Sequence, residues 1–257
     1  MRPRFVPAVL LAGCLAACGD AAAQPTPTPS ESIAPDMSAA RIDLAARAAL
    51  AEDHRFAALY TLEQNGQQRS VVATVATDGS WRVDIPGGAL GGTADVSIVQ
   101  TPEGVFQCAL PSATNPVNSG CVRVADPNKR IPREFDPKVE RVFRQWLNVF
   151  TDRQSALSVV PAAPLPGSQG SCFSIDSISA SLKAPVDVGI YCYADNGLLT
   201  AARVGYGTLS LVSVAAAPPS VDLPGPVLGG EPMGMESPPP PPVEPSPEES
   251  MQSSGPA

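Results

Sequence analysis

An α+β fold made mainly of antiparallel strands is predicted by three observations. Most of residues 56–214 reads as short runs in which apolar and polar side chains alternate, the period of a half-buried strand. Turn-forming pairs, Asn65-Gly66, Asp78-Gly79 and Asn196-Gly197, stand between those runs. Only two stretches, 38–52 and 135–150, carry helical periodicity.

The first helix is expected over 38–52 (SAARIDLAARAALAE), with Ser38 as its N-cap and Ile42, Ala45, Ala46, Ala49 and Leu50 on one apolar face. Phe56, Ala58, Tyr60 and Leu62 alternate in the first strand, and Asn65-Gly66 turns the chain into a second, 69–77, rich in β-branched residues. After Asp78-Gly79 comes WRVDIP (81–86), where Trp81, Val83 and Ile85 point one way and Arg82 and Asp84 the other. GGALGGT (87–93) matches no nucleotide-binding pattern and reads as a flexible loop. ADVSIVQ (94–100) and VFQCAL (105–110) then flank a reversal at 101–104, so five strands form an antiparallel meander.

In FDPKVERVFRQWLNVF (135–150), Val139, Val142, Phe143, Trp146 and Phe150 follow helical spacing, with Lys138, Glu140, Arg141, Arg144 and Gln145 opposite. An amphipathic helix with a bulky apolar face is expected. A proline-rich loop (161–170) leads to four more strands, CFSIDSI, GIYCYAD, GLLTAARV and TLSLVSV, giving about nine in all.

The N-terminus reads as an export signal. Arg2 and Arg4 precede an apolar run, 5–13, that is far shorter than the roughly 20 residues of a membrane span. Two segments, Leu15-Ala16-Ala17-Cys18 and Leu11-Ala12-Gly13-Cys14, resemble the lipobox of bacterial lipoproteins, whose cysteine receives a diacylglyceryl group. Cys18 is the preferred lipidation site, because cleavage before Cys14 leaves barely two turns of apolar helix and because Gly19-Asp20 begins a polar segment. The plainer alternative is an ordinary signal peptide that happens to contain two cysteines. Two acyl chains anchor stably, at about 0.8 kcal/mol per buried methylene. The mature protein is therefore expected on the extracytoplasmic face of the cell membrane, held there by its lipid.

Removal of 1–17 takes away two arginines and leaves 15 cations against 25 acids, a net −10. That balance excludes nucleic acid as a partner of the body. Thirteen of the 30 prolines fall after residue 217, where SPPPPPVEPSPEES has almost nothing to bury. The domain reading is thus a signal peptide at 1–17, a flexible linker at 18–36, a folded body at 37–216, and a disordered proline-rich tail at 217–257.

Cys108, Cys121, Cys172 and Cys192 remain for the exported body, an even number suited to an oxidising compartment. Of the three pairings, Cys108–Cys121 and Cys172–Cys192 are preferred because each closes a short loop between neighbouring elements. A zinc site is the competing reading, but no two of these cysteines have C-x-x-C spacing and the sole histidine, His54, is remote. His54, between Asp53 and Arg55 at a helix end, reads as a solvated surface residue.

The order of elements, with TDGSWRVDIP, TPEGVFQC and YCYADNGLLTAARV, resembles the LolA-type lipoprotein carriers and the LppX/LprG-type actinobacterial lipoproteins over about 34–214. The resemblance implies a single curved sheet, an open half-barrel with helices on its concave side and an apolar cavity between them for acyl chains. Trp81, Val83, Ile85 and Phe106, with Phe143, Trp146 and Phe150, are then the candidate cavity lining, and a dry core is the competing reading of the same residues. The paired cysteines depart from the superfamily's pattern.

No nucleophile elbow, metal-ligand spacing or phosphate loop is present, so no catalysis, cofactor or metal is expected. A carboxylate pair drawn from Asp84, Asp95, Asp176, Asp187 and Asp195 is the one enzyme reading left open. The expected function is binding of a lipid or other apolar ligand by a membrane-anchored lipoprotein. The alternative is a non-catalytic structural or interaction lipoprotein of the cell envelope with a filled core.

Overall fold

A computed structural model describes residues 37–112, 116, 118–178 and 185–237, with side chains from residue 39 onward. Residues 1–36, read above as signal peptide and linker and including Cys14 and Cys18, lie outside the described residues, as do residues 238–257 and the side chain of Ser38.

The chain begins with helix α1 (Met37–Asp53), one residue ahead of Ser38. Six strands follow: β1 (Phe56–Gln64), β2 (Gln67–Val75), β3 (Trp81–Ala89), β4 (Ala94–Thr101), β5 (Gly104–Leu110) and β6 (Cys121–Ala125). A stretch of short helical turns ends in α2 (Leu147–Thr151). The chain then adds β7 (Leu157–Ala162), β8 (Ser171–Ser177), β9 (Gly189–Tyr193), β10 (Leu199–Val204) and β11 (Gly207–Ala215).

All eleven strands pair antiparallel in one open sheet of order β6-β5-β4-β3-β2-β1-β11-β10-β9-β8-β7. Two meanders, β1–β6 and β7–β11, are joined along β1 and β11, where Ala57 faces Ala215 and Leu62 faces Leu209. The Asn65-Gly66 turn has both residues at positive φ, 52° and 74°, the geometry that two-residue hairpins need. Two strands exceed the expected nine. β6 follows no alternating signal, and β7 contains Pro161 and Ala162 from the expected loop, which an edge strand tolerates.

Strand periodicity sorts the side chains cleanly onto two faces. Tyr60, Val71, Val83 and Ile98 lie on one face, and the register carries that face across the seam through Leu209, Ala202, Tyr191 and Phe173. This face holds the main core, covered by α1 and by residues 131–150. The opposite face carries two smaller clusters, each built around a disulfide, Cys108–Cys121 and Cys172–Cys192. Both bridges join residues directly opposite one another on adjacent strands.

Helix α1 turns a different side inward from the one expected. Ala40, Leu44, Ala48 and Ala51 are buried, whereas Ile42 is 52% and Leu50 49% exposed. Flanking arginines decide the rotation. Arg41 reaches Asp152 O at 2.7 Å and the Ser155 hydroxyl at 2.6 Å, while Arg47 Nη1 donates to Tyr193 O at 3.1 Å and to Asp195 at 3.0 Å. Ala48 and the other small residues of this side let the helix lie close to the sheet.

The expected helix at 135–150 is broken. Arg133–Phe135 and Val139–Phe143 are single 3₁₀ turns, and only Leu147–Thr151 is α-helical. Lys138 adopts the left-handed conformation (φ 66°), its N–H donating to Asp136 Oδ1 at 2.7 Å. Asp136 is also paired with Arg141. That local network competes with the helical ladder, which is interrupted from the extended Asp136 through Lys138. Glu140, expected on the solvent side, is fully buried.

Residues 218–237 do not form a free tail. Thr77 N and Asp78 N donate to Pro218 O (3.0 Å) and Pro219 O (3.1 Å), and Val221 and Leu223 pack on Phe106. Val227 then bridges Cys121 in parallel at the β6 edge. Beyond it, Leu90 N and Gly91 N donate to Gly234 O and Met235 O, and Gly87 N donates to Asp95 Oδ1, so residues 87–93, expected as a flexible loop, begin with the end of β3 and are bonded in place at their start and middle. The strap covers an edge that otherwise presents unpaired backbone groups.

Candidate functional site

The sheet brings six of the seven expected lining residues together. Trp81, Val83 and Ile85 from β3, with Phe143, Trp146 and Phe150 from the broken helical stretch, belong to one core cluster. Phe106 does not join them. It lies one residue out of phase on β5, and so packs on the opposite face with the Cys108–Cys121 bridge and the strap.

The aromatic rings interlock. Phe143 packs on Tyr60 at 5.0 Å between centroids, and Tyr191 receives Phe150 at 5.2 Å and Trp146 at 5.9 Å, both edge-on. The tyrosine hydroxyls are held by the backbone: Tyr60 donates to Leu199 O at 2.8 Å and Tyr191 to Asp187 O at 2.6 Å. Burial pushes both phenols above their ordinary value, so they stay neutral.

None of the six clustered residues is more than 5% exposed. A void wide enough for water gives accessible surface to its lining. These side chains therefore touch protein on nearly every side.

A buried carboxyl group lies beside this wall. Glu140 is enclosed, and burial, followed by the neighbouring Asp136 carboxylate, holds its carboxyl well above the usual carboxylate range; Arg141 pulls weakly the other way. Arg141 donates to Asp136 Oδ2 through Nε at 2.9 Å and through Nη2. The hydroxyls of Tyr193 and Tyr206 are buried nearby in the same apolar surroundings. The sequence gives no sign of this cluster, because Glu140 occupies a position that helical spacing assigns to solvent.

The other candidate residues are dispersed. Asp84 takes two hydrogen bonds from Arg82 (2.7 and 3.0 Å), Asp95 accepts from Gly87 N (2.7 Å), and Asp195 pairs with Arg47. His54 is half-buried rather than solvated, with Nδ1 3.2 Å from Asn196 O and its ring against Phe56. Among the described residues no cluster of three His, Cys, Asp or Glu side chains could hold a metal ion. No helix there is long and apolar enough to cross a membrane.

Neither a family model nor a curated protein matches the chain.

Proposed function

We propose that this chain is a diacylglyceryl-anchored lipoprotein of the extracytoplasmic membrane face, tethered through Cys18, and that its body is a non-catalytic scaffold acting through its surface. The observation that carries the reading of the body is the burial of Trp81, Val83, Ile85, Phe143, Trp146 and Phe150 at 5% exposure or less. An acyl chain gains about 25 cal/mol per Å² only from apolar surface that is otherwise wet, and these residues leave little of it to offer. The lipobox and charged n-region support the anchor.

The second reading, a half-barrel lipid carrier of the LolA or LppX/LprG kind, draws on the single open antiparallel sheet with helices over one face. Bulges in β3, β6, β10 and β11 would bend such a sheet around a concavity. Ligand entry then requires the 131–150 segment to lift.

Native mass spectrometry of protein purified from membranes separates the two. A single mass corresponding to the lipidated chain alone supports the scaffold, and a co-purifying lipid supports the carrier. Release of the Cys18→Ala variant into the medium, with Cys14→Ala retained, supports the anchor assignment.

A further inference from the structure

A polar cleft of about 420 Å³ opens beside the apolar interior, where the end of α1, the starts of β3 and α2, the end of β4 and the loop after β6 converge. Its size falls within the roughly 300–1,000 Å³ of small-molecule sites. Arg144, Lys129 and Arg130 line it together with a single carboxylate, Glu52, in a chain of net charge −8.

Among the described residues the cations form no ion pairs. Asn128 is left-handed (φ 59°), its N–H donating to Gln100 Oε1 at 3.1 Å while Gln100 Nε2 donates back to Asn128 Oδ1 at 3.0 Å. This reciprocal pair fixes the loop that presents the exposed Lys129 and Arg130. Across the cleft, half-buried Arg144 donates through Nη1 to Glu52 O at 3.0 Å, and Arg55 donates to the same carbonyl at 2.9 Å. Desolvation, then repulsion from Arg55, lowers the proton affinity of the Arg144 guanidinium, with Glu52 and Asp53 opposing. Among the described residues no carboxylate lies within 4.0 Å of the charged nitrogens of Lys129, Arg130 or Arg144. Glu52 Oε1, in turn, is buried with no donor.

Unpaired cations call for an anion, and a buried carboxylate oxygen calls for a hydroxyl or amide donor. A bare anion would be repelled by Glu52, and a neutral sugar would leave the three cations unpaired. We propose that the cleft binds one unit of an acidic saccharide, its carboxylate or phosphate against Arg144, Lys129 and Arg130 and its hydroxyls against Glu52 and the side-chain amides of Gln145 and Asn148. The site names a ligand for the surface of the body, and it stands or falls independently of the anchor and of the state of the core.

Isothermal titration of the detergent-solubilised full chain with glucuronate, glucose 6-phosphate, glucose and inorganic phosphate tests the site. Glucuronate or glucose 6-phosphate is expected to bind about tenfold or more tightly than either glucose or inorganic phosphate, and more weakly as salt rises. Whichever acidic sugar binds identifies the anion. Arg144→Gln should weaken binding about tenfold, the loss of a charge-assisted hydrogen bond. Because Arg144 also secures Glu52 O, the exposed double variant Lys129→Gln/Arg130→Gln provides a second reading and should weaken the same sugar without altering the melting temperature. Absence of binding by both acidic sugars, equal binding of glucose or of inorganic phosphate, or unchanged affinity in the double variant overturns the proposal.

Discussion

Gln107 and Met233 exchange two hydrogen bonds across the body: Gln107 Nε2 donates to Met233 O at 2.9 Å, and Met233 N donates to Gln107 Oε1 at 2.7 Å. Gln107 is buried, and its amide hydrogen also reaches Phe135 O at 3.2 Å. One side chain thus fastens the C-terminal strap and the 131–150 segment to β5. Gln107→Leu leaves the Met233 N–H and carbonyl without partners, and is expected to cost about 1–3 kcal/mol. Limited proteolysis should then cut within 218–237 before the rest of the body, whereas an unchanged cleavage order would show that the strap is held elsewhere.

Phe150 separates a filled core from a ligand cavity. It is fully buried against Tyr191, so Phe150→Ala should destabilise the fold by about 3–5 kcal/mol in urea titration, the cost of a cavity that the surroundings cannot close. A residue lining a vacant lipid site would lose far less. A loss below about 1 kcal/mol argues for the carrier reading.

Each disulfide clamps opposed residues of adjacent strands, closing loops with sequence separations of 13 and 20. Replacing either pair by alanine should cost about 3 kcal/mol in the chain-entropy account. The two losses should add, since the bridges lie in separate clusters on opposite halves of the sheet. Thermal unfolding of the single and double replacements measures both.

Glu140 makes stability depend on pH in an unusual direction. Its carboxyl is raised in the folded chain, so the folded state binds more protons than the unfolded one. Its contribution is complete below the ordinary carboxylate value and declines as pH rises through that value toward the raised one. Asp136 and Arg141 beside it, with Tyr206 and Asp187 facing the cluster, set the local field. Glu140→Gln keeps the neutral shape, so it should be more stable than the native chain near pH 8, by about 1–3 kcal/mol, and match it near pH 4. Urea unfolding across that range decides, and a native chain more stable than the variant at the higher pH refutes the assignment.

The hairpins were legible because their cues are local: alternation in β1–β5 and β8–β11, and Asn65-Gly66 or Asp78-Gly79 between them. The disulfide pairing was legible for the same reason, each bridge lying between strands close in sequence. What escaped depended on distant partners. Residues 135–150 keep helical spacing, yet Asp136 captures Lys138 N and Arg141, and burial on several sides removes the polar face that the spacing implies. The rotation of α1 rests on Arg41 and Arg47 finding carbonyls more than a hundred residues away. The strap is fastened chiefly through its backbone, which leaves no side-chain rhythm to read. Six of the seven cavity candidates share one cluster, but whether a face is hollow or full depends on how closely its cover settles, and no periodicity records that.

The seam between β1 and β11 bears on how the protein is made. Every other strand meets a neighbour in the chain, so each meander can assemble from nearby hairpins as it appears. A polypeptide made from its N-terminus delivers β1 early and its mate last. Throughout that interval the naked rim of β1 is an adhesive strip for stray strands, and the nascent molecule depends on rapid completion of its sheet.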